Sequence, residues 1–217
     1  MNDKPRYLIT QSLLGAWQYM FDCSEESSEE ARESFLAYLL REPCEQSDAM
    51  LRGISFEDAV VCALTGDNFG VLLHCDQWAK RGGEDAERAC VEKVAEIVCG
   101  GAYQVTAYRD KTIAGEDFKL MAKCDWVKAG VIYDVKRVGS YDVGKYYKSP
   151  QHPMYFEVIP EAYEFRYIVA DGSEVSVEKY TREDIPQTAD QLISQFVAYL
   201  KSTPGLWSIY TDKWLAK

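Results

Sequence analysis

The chain has 217 residues, is 47% hydrophobic and 27% charged, and carries a net charge of −11. That length supports one ordinary buried core without staples, and the acidity argues against a broad electrostatic footprint for nucleic acid. No run approaches the ~20 apolar residues needed to cross a bilayer, and MNDKPRYLIT lacks the basic-then-apolar pattern of a secretory leader, so the expectation is a cytoplasmic protein with no membrane partner.

Cys23, Cys44, Cys62, Cys75, Cys90, Cys99 and Cys124 make an odd set without a CxxC. This spacing predicts that most are small buried hydrophobes rather than a zinc or disulfide framework. The run His74-Cys75-Asp76 is too isolated for a ligand set.

In chain order, Leu13, Leu14, Trp17 and Phe21 predict a helix over 8–22, capped by Thr10 or Ser12. The acidic run at 23–33 predicts a helix start or a solvated loop. A second helix is expected over 28–41, stopped by Pro43, a third over 54–65 ending at Gly66, and a fourth over 84–98 ending at Gly100-Gly101. The pattern then turns to strands at 103–109, 118–127 and 131–138, the last two joined by a tight Lys128-Ala129-Gly130 turn. A short helical segment is expected within 150–159, then a hairpin of 162–170 and 174–180 around Asp171-Gly172, then a closing helix over 187–202. Trp207, Tyr210 and Trp214 fit one helix face, for packing or a subunit contact. This order predicts a single domain of α/β (α+β) class: a helical part over about 8–100, a sheet core over about 101–182 and helices packed on it.

The strand GVIYDVKRVG at 130–139 holds Asp134 and Lys136 among Val131, Ile132, Tyr133, Val135 and Val138. Charges rarely enter such a strand unless paired or bound. Positions i and i+2 share a face, so the two groups point the same way, roughly 6.5–7 Å apart along the chain. Asp125 lies nine positions before Asp134 on the preceding strand, which brings a second carboxylate near the first. Two close carboxylates repel, and a divalent cation relieves them; magnesium uses one or two carboxylates with waters and phosphate oxygens. A lysine beside that ion suits a water or phosphate in a phosphodiester reaction. Alone, D-x-K fits equally an ion pair on a solvent-facing strand.

Asp125 followed by Asp134-Val135-Lys136 resembles the signature of the PD-(D/E)XK nuclease superfamily. Gln151-His152-Pro153-Met154-Tyr155 is similar to the Q-x-x-x-Y motif of its RecB-type and lambda-exonuclease-like branch. Arg52-Gly53-Ile54-Ser55-Phe56-Glu57 resembles that branch's helix motif, and the run from Thr10 to Trp17 its opening helix. The resemblance implies a restriction-endonuclease-like core, a central mixed β-sheet flanked by helices. It implies Mg²⁺ or Mn²⁺ held by Asp125, Asp134, the Val135 carbonyl and Glu57, with Lys136 as the catalytic lysine and Gln151 holding DNA or orienting the nucleophile. It implies a DNA nuclease, most similar to phage or mobile-element recombination exonucleases, which commonly work beside a single-strand-annealing protein, some as homo-oligomeric rings. Relatives with an iron–sulfur cluster place cysteines near the C-terminus, and none follows Cys124 here, so no iron–sulfur cluster is expected.

Cations and aromatics near the site define the expected DNA contacts: Arg137, Lys145, Tyr147, Lys148 and Tyr155, with Arg52 and Arg109 further away. His152 is expected near phosphate or on the surface, and Tyr155 either in the core or against the backbone of the substrate. The acidity supports a second reading, a nuclease fold kept as a binding module with weak or no cleavage.

Overall fold

The computed structural model describes residues 5–78 and 83–216, so the tip of the N-terminus lies outside the described residues. A six-stranded mixed sheet is flanked by helices on both faces. The strands are β1 (Arg6–Thr10), β2 (Ala102–Ile113), β3 (Glu116–Lys128), β4 (Val131–Arg137), β5 (Glu164–Ala170) and β6 (Val175–Thr181). The helices are α1 (Gln11–Asp22), α2 (Ser28–Leu40), α3 (Asp48–Thr65), α4 (Asn68–Trp78), α5 (Glu84–Val98), α6 (Gln151–Val158), α7 (Ala189–Ser202) and α8 (Leu206–Lys213). Among the described residues no helix is long and apolar enough to cross a membrane.

Besides α3, which starts at Asp48 behind a Ser47 cap rather than at 54, two sequence expectations change. Residues before Thr10 form a strand rather than the start of a helix, because Tyr7 and Ile9 bury their alternate side chains as β1 pairs in parallel with β3. Thr10 then ends the strand and caps α1 by accepting from the Leu13 amide. The second change is α4, which helical spacing does not announce, since its apolar residues Phe69, Leu72 and Leu73 are exposed. At the C-terminus Tyr210 and Trp214 are buried, and the Trp214 indole donates to the Leu39 carbonyl at 2.8 Å.

The sheet has one feature that positions the site. One edge of β3 is covered by β2 throughout, while two strands share the other edge. β1 pairs with β3 only as far as Met121, and β4 pairs with it only from Trp126 onward. Between them, at Ala122–Asp125, that edge of β3 has no strand partner, and the sheet splits. The faces also change there. Cys124 packs in a core with α1, α2, α6, α7 and α8, whereas Trp126, two residues on, packs in a second core with α3, α4 and α5. The change lies beside Gln104 of β2, whose φ of 54° interrupts the pleat as a bulge would.

The β3–β4 turn forms as expected, with Ala129 and Gly130 both in the left-handed region that a two-residue hairpin requires. Gly130 has a second reason to be glycine: a Cβ there would meet the Tyr163 ring at 2.8 Å.

Candidate active site at the split sheet

Alternation along β4 resolves the oddity of its charges. Val131, Tyr133 and Val135 enter the second core, and Ile132 enters the first. Asp134 and Lys136 follow Ile132 on its face, at the point where the sheet parts. They open into a cleft of about 240 Å³ lined also by Glu57 of α3, Lys123 and Asp125 of β3, Thr10, Gln11 and Ser12 at the start of α1, and Gln151 and Tyr155 of α6.

Side chains bridge the gap that the missing ladder leaves. Asp125 Oδ2 accepts from the Val135 amide at 2.8 Å, and the Tyr155 hydroxyl donates to the Lys123 carbonyl at 2.6 Å. Asp134 is buried; its Oδ1 accepts from Gln151 Nε2 and its Oδ2 meets the Lys136 ammonium at 2.6 Å. Gln151 Nε2 also lies 3.5 Å from the Tyr155 hydroxyl, so α6 and β4 are tied through one amide. The two ends of the Q-x-x-x-Y run are thus neighbours one helical turn apart.

Electrostatics follow from three carboxylates in one confined place. Burial, then the Asp134 and Glu57 charges, push Asp125 up to about 8, against the opposing effect of Lys136 and the Val135 amide. Burial and the Asp134 charge push Glu57 up to about 7. Burial alone would lower Lys136, but its pairing with Asp134 and the nearby Asp125 outweigh it, and its pKa is raised. Lys136 is therefore a cation at neutral pH, suited to offsetting negative charge rather than to taking up a proton.

Not every expected residue comes to the cleft. Arg137 is a correction: its side chain is only 3% exposed and forms a bidentate pair with Glu87 of α5, at 2.6 and 2.7 Å, so it braces the fold and does not face DNA. Arg52 is another, since it lies beside Glu87 and His74 between α3, α4 and α5. Tyr155 does reach the cleft wall, but as a core residue, its ring buried and its hydroxyl donated to the Lys123 carbonyl. His152 is fully buried, stacked on Tyr180 with centroids 4.4 Å apart and bonded to the Tyr167 hydroxyl at 3.1 Å, with its pKa lowered to about 4 by burial. Arg109 is engaged by the Glu157 carbonyl at 2.7 Å. Lys145, Tyr147 and Lys148 are exposed on the loop beyond β4. That loop is pinned by Glu178, which accepts from the Tyr141 hydroxyl at 2.5 Å and the Tyr146 amide at 3.2 Å.

Residues that the sequence reading passed over are Lys123, Gln104 and the first turn of α1. Lys123 was legible, because FKLMAKCDWV alternates and places it on the same face as Asp125. Gln104, with Nε2 3.5 Å from Glu57 Oε2, carries no signal short of the tertiary structure.

The Tyr155 bridge has a measurable consequence. Tyr155→Phe leaves the Lys123 carbonyl without its donor across the split. The expected loss is about 1 kcal/mol of stability, read as a fall in Tm of about 3 °C in thermal denaturation. An unchanged Tm would mean that water replaces the hydroxyl at no cost.

Comparison with known proteins adds little to this geometry. No family model matches the chain, and no curated protein matches it. Among solved structures it is similar to SSO0001, with 13% identity and a TM-score of 0.46 over 94% of this chain and 82% of that one.

Proposed function

We propose that the protein is a metal-dependent DNA nuclease of the PD-(D/E)XK type that hydrolyses phosphodiester bonds. The observation that carries this reading is the convergence of Asp125, Asp134, Glu57, Lys136 and Gln151 on one cleft at the split of the sheet. A role in trimming DNA ends during recombination, beside a single-strand-annealing protein, belongs to the same reading through the sequence resemblance.

The donor set fits a hard divalent cation in a restricted way. Among the described residues no group of three or more His, Cys, Asp or Glu is disposed to hold a metal ion. Asp125 and Asp134 are a pair, the number magnesium uses when waters and phosphate oxygens complete its shell. Glu57, turned toward Gln104, suits an outer, water-mediated position, and the Val135 carbonyl is the remaining candidate. Bound there, Mg²⁺ or Mn²⁺ would supply Lewis-acid polarisation and a nucleophilic water at neutral pH. The chain's own part is electrostatic and positional. Lys136 places an ammonium where charge develops on the phosphoryl oxygens, and Gln151 holds the Asp134 carboxylate in place.

The second reading, a binding module without cleavage, draws on the hydrogen bonds that already engage both aspartates and on the net charge of −11. Cleavage of linear, nicked, circular and single-stranded DNA with Mg²⁺, Mn²⁺ or EDTA separates the two. Metal-dependent loss of linear DNA with circles spared supports an exonuclease; intact DNA in every lane from folded protein leaves the binding module.

Stability against pH gives an independent check on the ion site. Asp125 and Glu57 have raised pKa values, about 8 and about 7, so both hold protons in the folded chain that the unfolded chain has released. The stability this contributes is full below the ordinary carboxylate range, is lost progressively as pH rises from there, and is gone once pH passes about 8. From pH 6.5 to about 8 the Tm should fall, by about 3 °C per pH unit, and it should level off above. His152 acts elsewhere, below its ordinary value of 6.5, where the unfolded chain takes a proton that the buried ring refuses. Millimolar Mg²⁺ should raise Tm more at pH 8.5 than at pH 6.5, and Asp125→Asn should flatten both dependences. A Tm indifferent to Mg²⁺ throughout would count against the ion site.

A further inference from the structure

Among the described residues, the half of the sheet formed by β1, β2 and β3 packs its apolar residues against helices on one face. Phe118, Leu120, Ala122 and Cys124 point into the first core. The alternate residues Lys119, Met121 and Lys123 point to the other face, where the apolar core of α3, α4 and α5 packs over β4 and β5 and takes in Trp126 of β3. A groove of about 330 Å³ lies on this face, lined by Arg41, Tyr108, Lys119 and Met121 together with Leu8 and Leu215. Met121 lines both this groove and the cleft that holds Asp125 and Asp134, so the two are neighbours on either side of one side chain.

The chemistry of the groove differs from that of the whole chain. Arg41 and Lys119 bring two cations to it, and Lys123 adds a third in the neighbouring cleft, in a protein of net charge −11. Tyr108 is 57% exposed, with the Lys119 ammonium 5.9 Å from its ring centroid, and the Arg41 guanidinium lies 4.1 Å from the centroid of the Trp214 ring. Cations that follow a backbone, interleaved with an exposed aromatic ring, are what an unpaired strand requires, because each base offers a π-face and each nucleotide a charge. Lys119 in the groove and Lys123 in the cleft stand four residues apart, ~13 Å along β3, so groove and cleft together span several nucleotides rather than one.

We propose that this open face is a binding site for single-stranded DNA, which leads the strand over Met121 into the cleft, with Tyr108 as a base-stacking platform and Arg41, Lys119 and Lys123 on phosphates. The inference rests on the nuclease reading for its direction, and its test does not. Fluorescence anisotropy of a labelled oligothymidylate of ~12 nucleotides, in EDTA so that nothing is cleaved, measures the groove alone. Tyr108→Ala should weaken binding about tenfold and Tyr108→Phe should restore it, as expected for lost stacking. Lys119→Ala should weaken binding and reduce the slope of log K against log salt by about 0.7, one phosphate contact on a single strand. Wild-type affinity and salt slope in both alanine variants, or no binding by the wild type, would overturn the groove, even if the protein cleaves DNA. Tyr108-dependent binding by a protein that cleaves nothing would retain the groove and remove the nuclease reading instead.

Discussion

Lys136→Ala should lower metal-dependent cleavage of linear DNA by at least about a hundredfold while the chain stays folded. The expectation comes from where the ammonium sits. It is 2.6 Å from Asp134 Oδ2, and its side chain remains one-third exposed, so it reaches both the buried carboxylate and the space a phosphate would fill. Its raised pKa keeps it charged through neutrality. Removing one preorganised group that meets transition-state charge typically costs a factor of about 10² to 10³. Asp134→Asn, which keeps the shape of the side chain but not its charge, should be equally inactive. The two variants should separate in thermal denaturation. Asp134→Asn removes the charge that raises both Asp125 and Glu57, so its Tm should depend less on pH than the wild type's. Cleavage within tenfold of wild type in Lys136→Ala would remove this lysine from the chemistry and the D-x-K argument with it.

Breaking the Arg137–Glu87 pair should have the largest effect on stability. Both side chains are 3% exposed, and the guanidinium also donates to the Val138 carbonyl. The pair ties the end of β4 to α5, and Gly172 of the β5–β6 turn lies against it so closely that a Cβ there would meet both partners. Glu87→Ala leaves a buried cation without its counter-charge, for which the expected loss is about 3–5 kcal/mol in urea denaturation. The double replacement Glu87→Leu with Arg137→Met removes both charges together, and it should recover most of that loss. Equal destabilisation in the single and double variants would mean that shape, not charge, makes the pair matter. Because Arg137 follows Lys136 directly, Glu87→Ala should also reduce cleavage, through looser placement of the lysine.

The sequence by itself determined what depends on neighbours along the chain. Alternation placed Asp134 and Lys136 on one face and Val135 on the other, because side chains in a strand alternate whatever the strand pairs with. The same local logic marked the caps at Thr10 and Gly66, the Ala129-Gly130 turn and the paired ends of Gln151 and Tyr155, since each is settled within one turn of backbone. Only the tertiary structure decided which of the marked residues share a site. Arg137 looked like a DNA contact beside Lys136 until Glu87, fifty positions away, claimed it. Tyr7 and Ile9 became a strand only because β3 offered an edge far along the chain. The split of the sheet exists because β1 and β4 stop at different points on that edge, and Gln104 meets Glu57, 47 positions away, only once β2 and α3 are brought together. Burial and strand register are properties of distant segments brought together, and no local period encodes them.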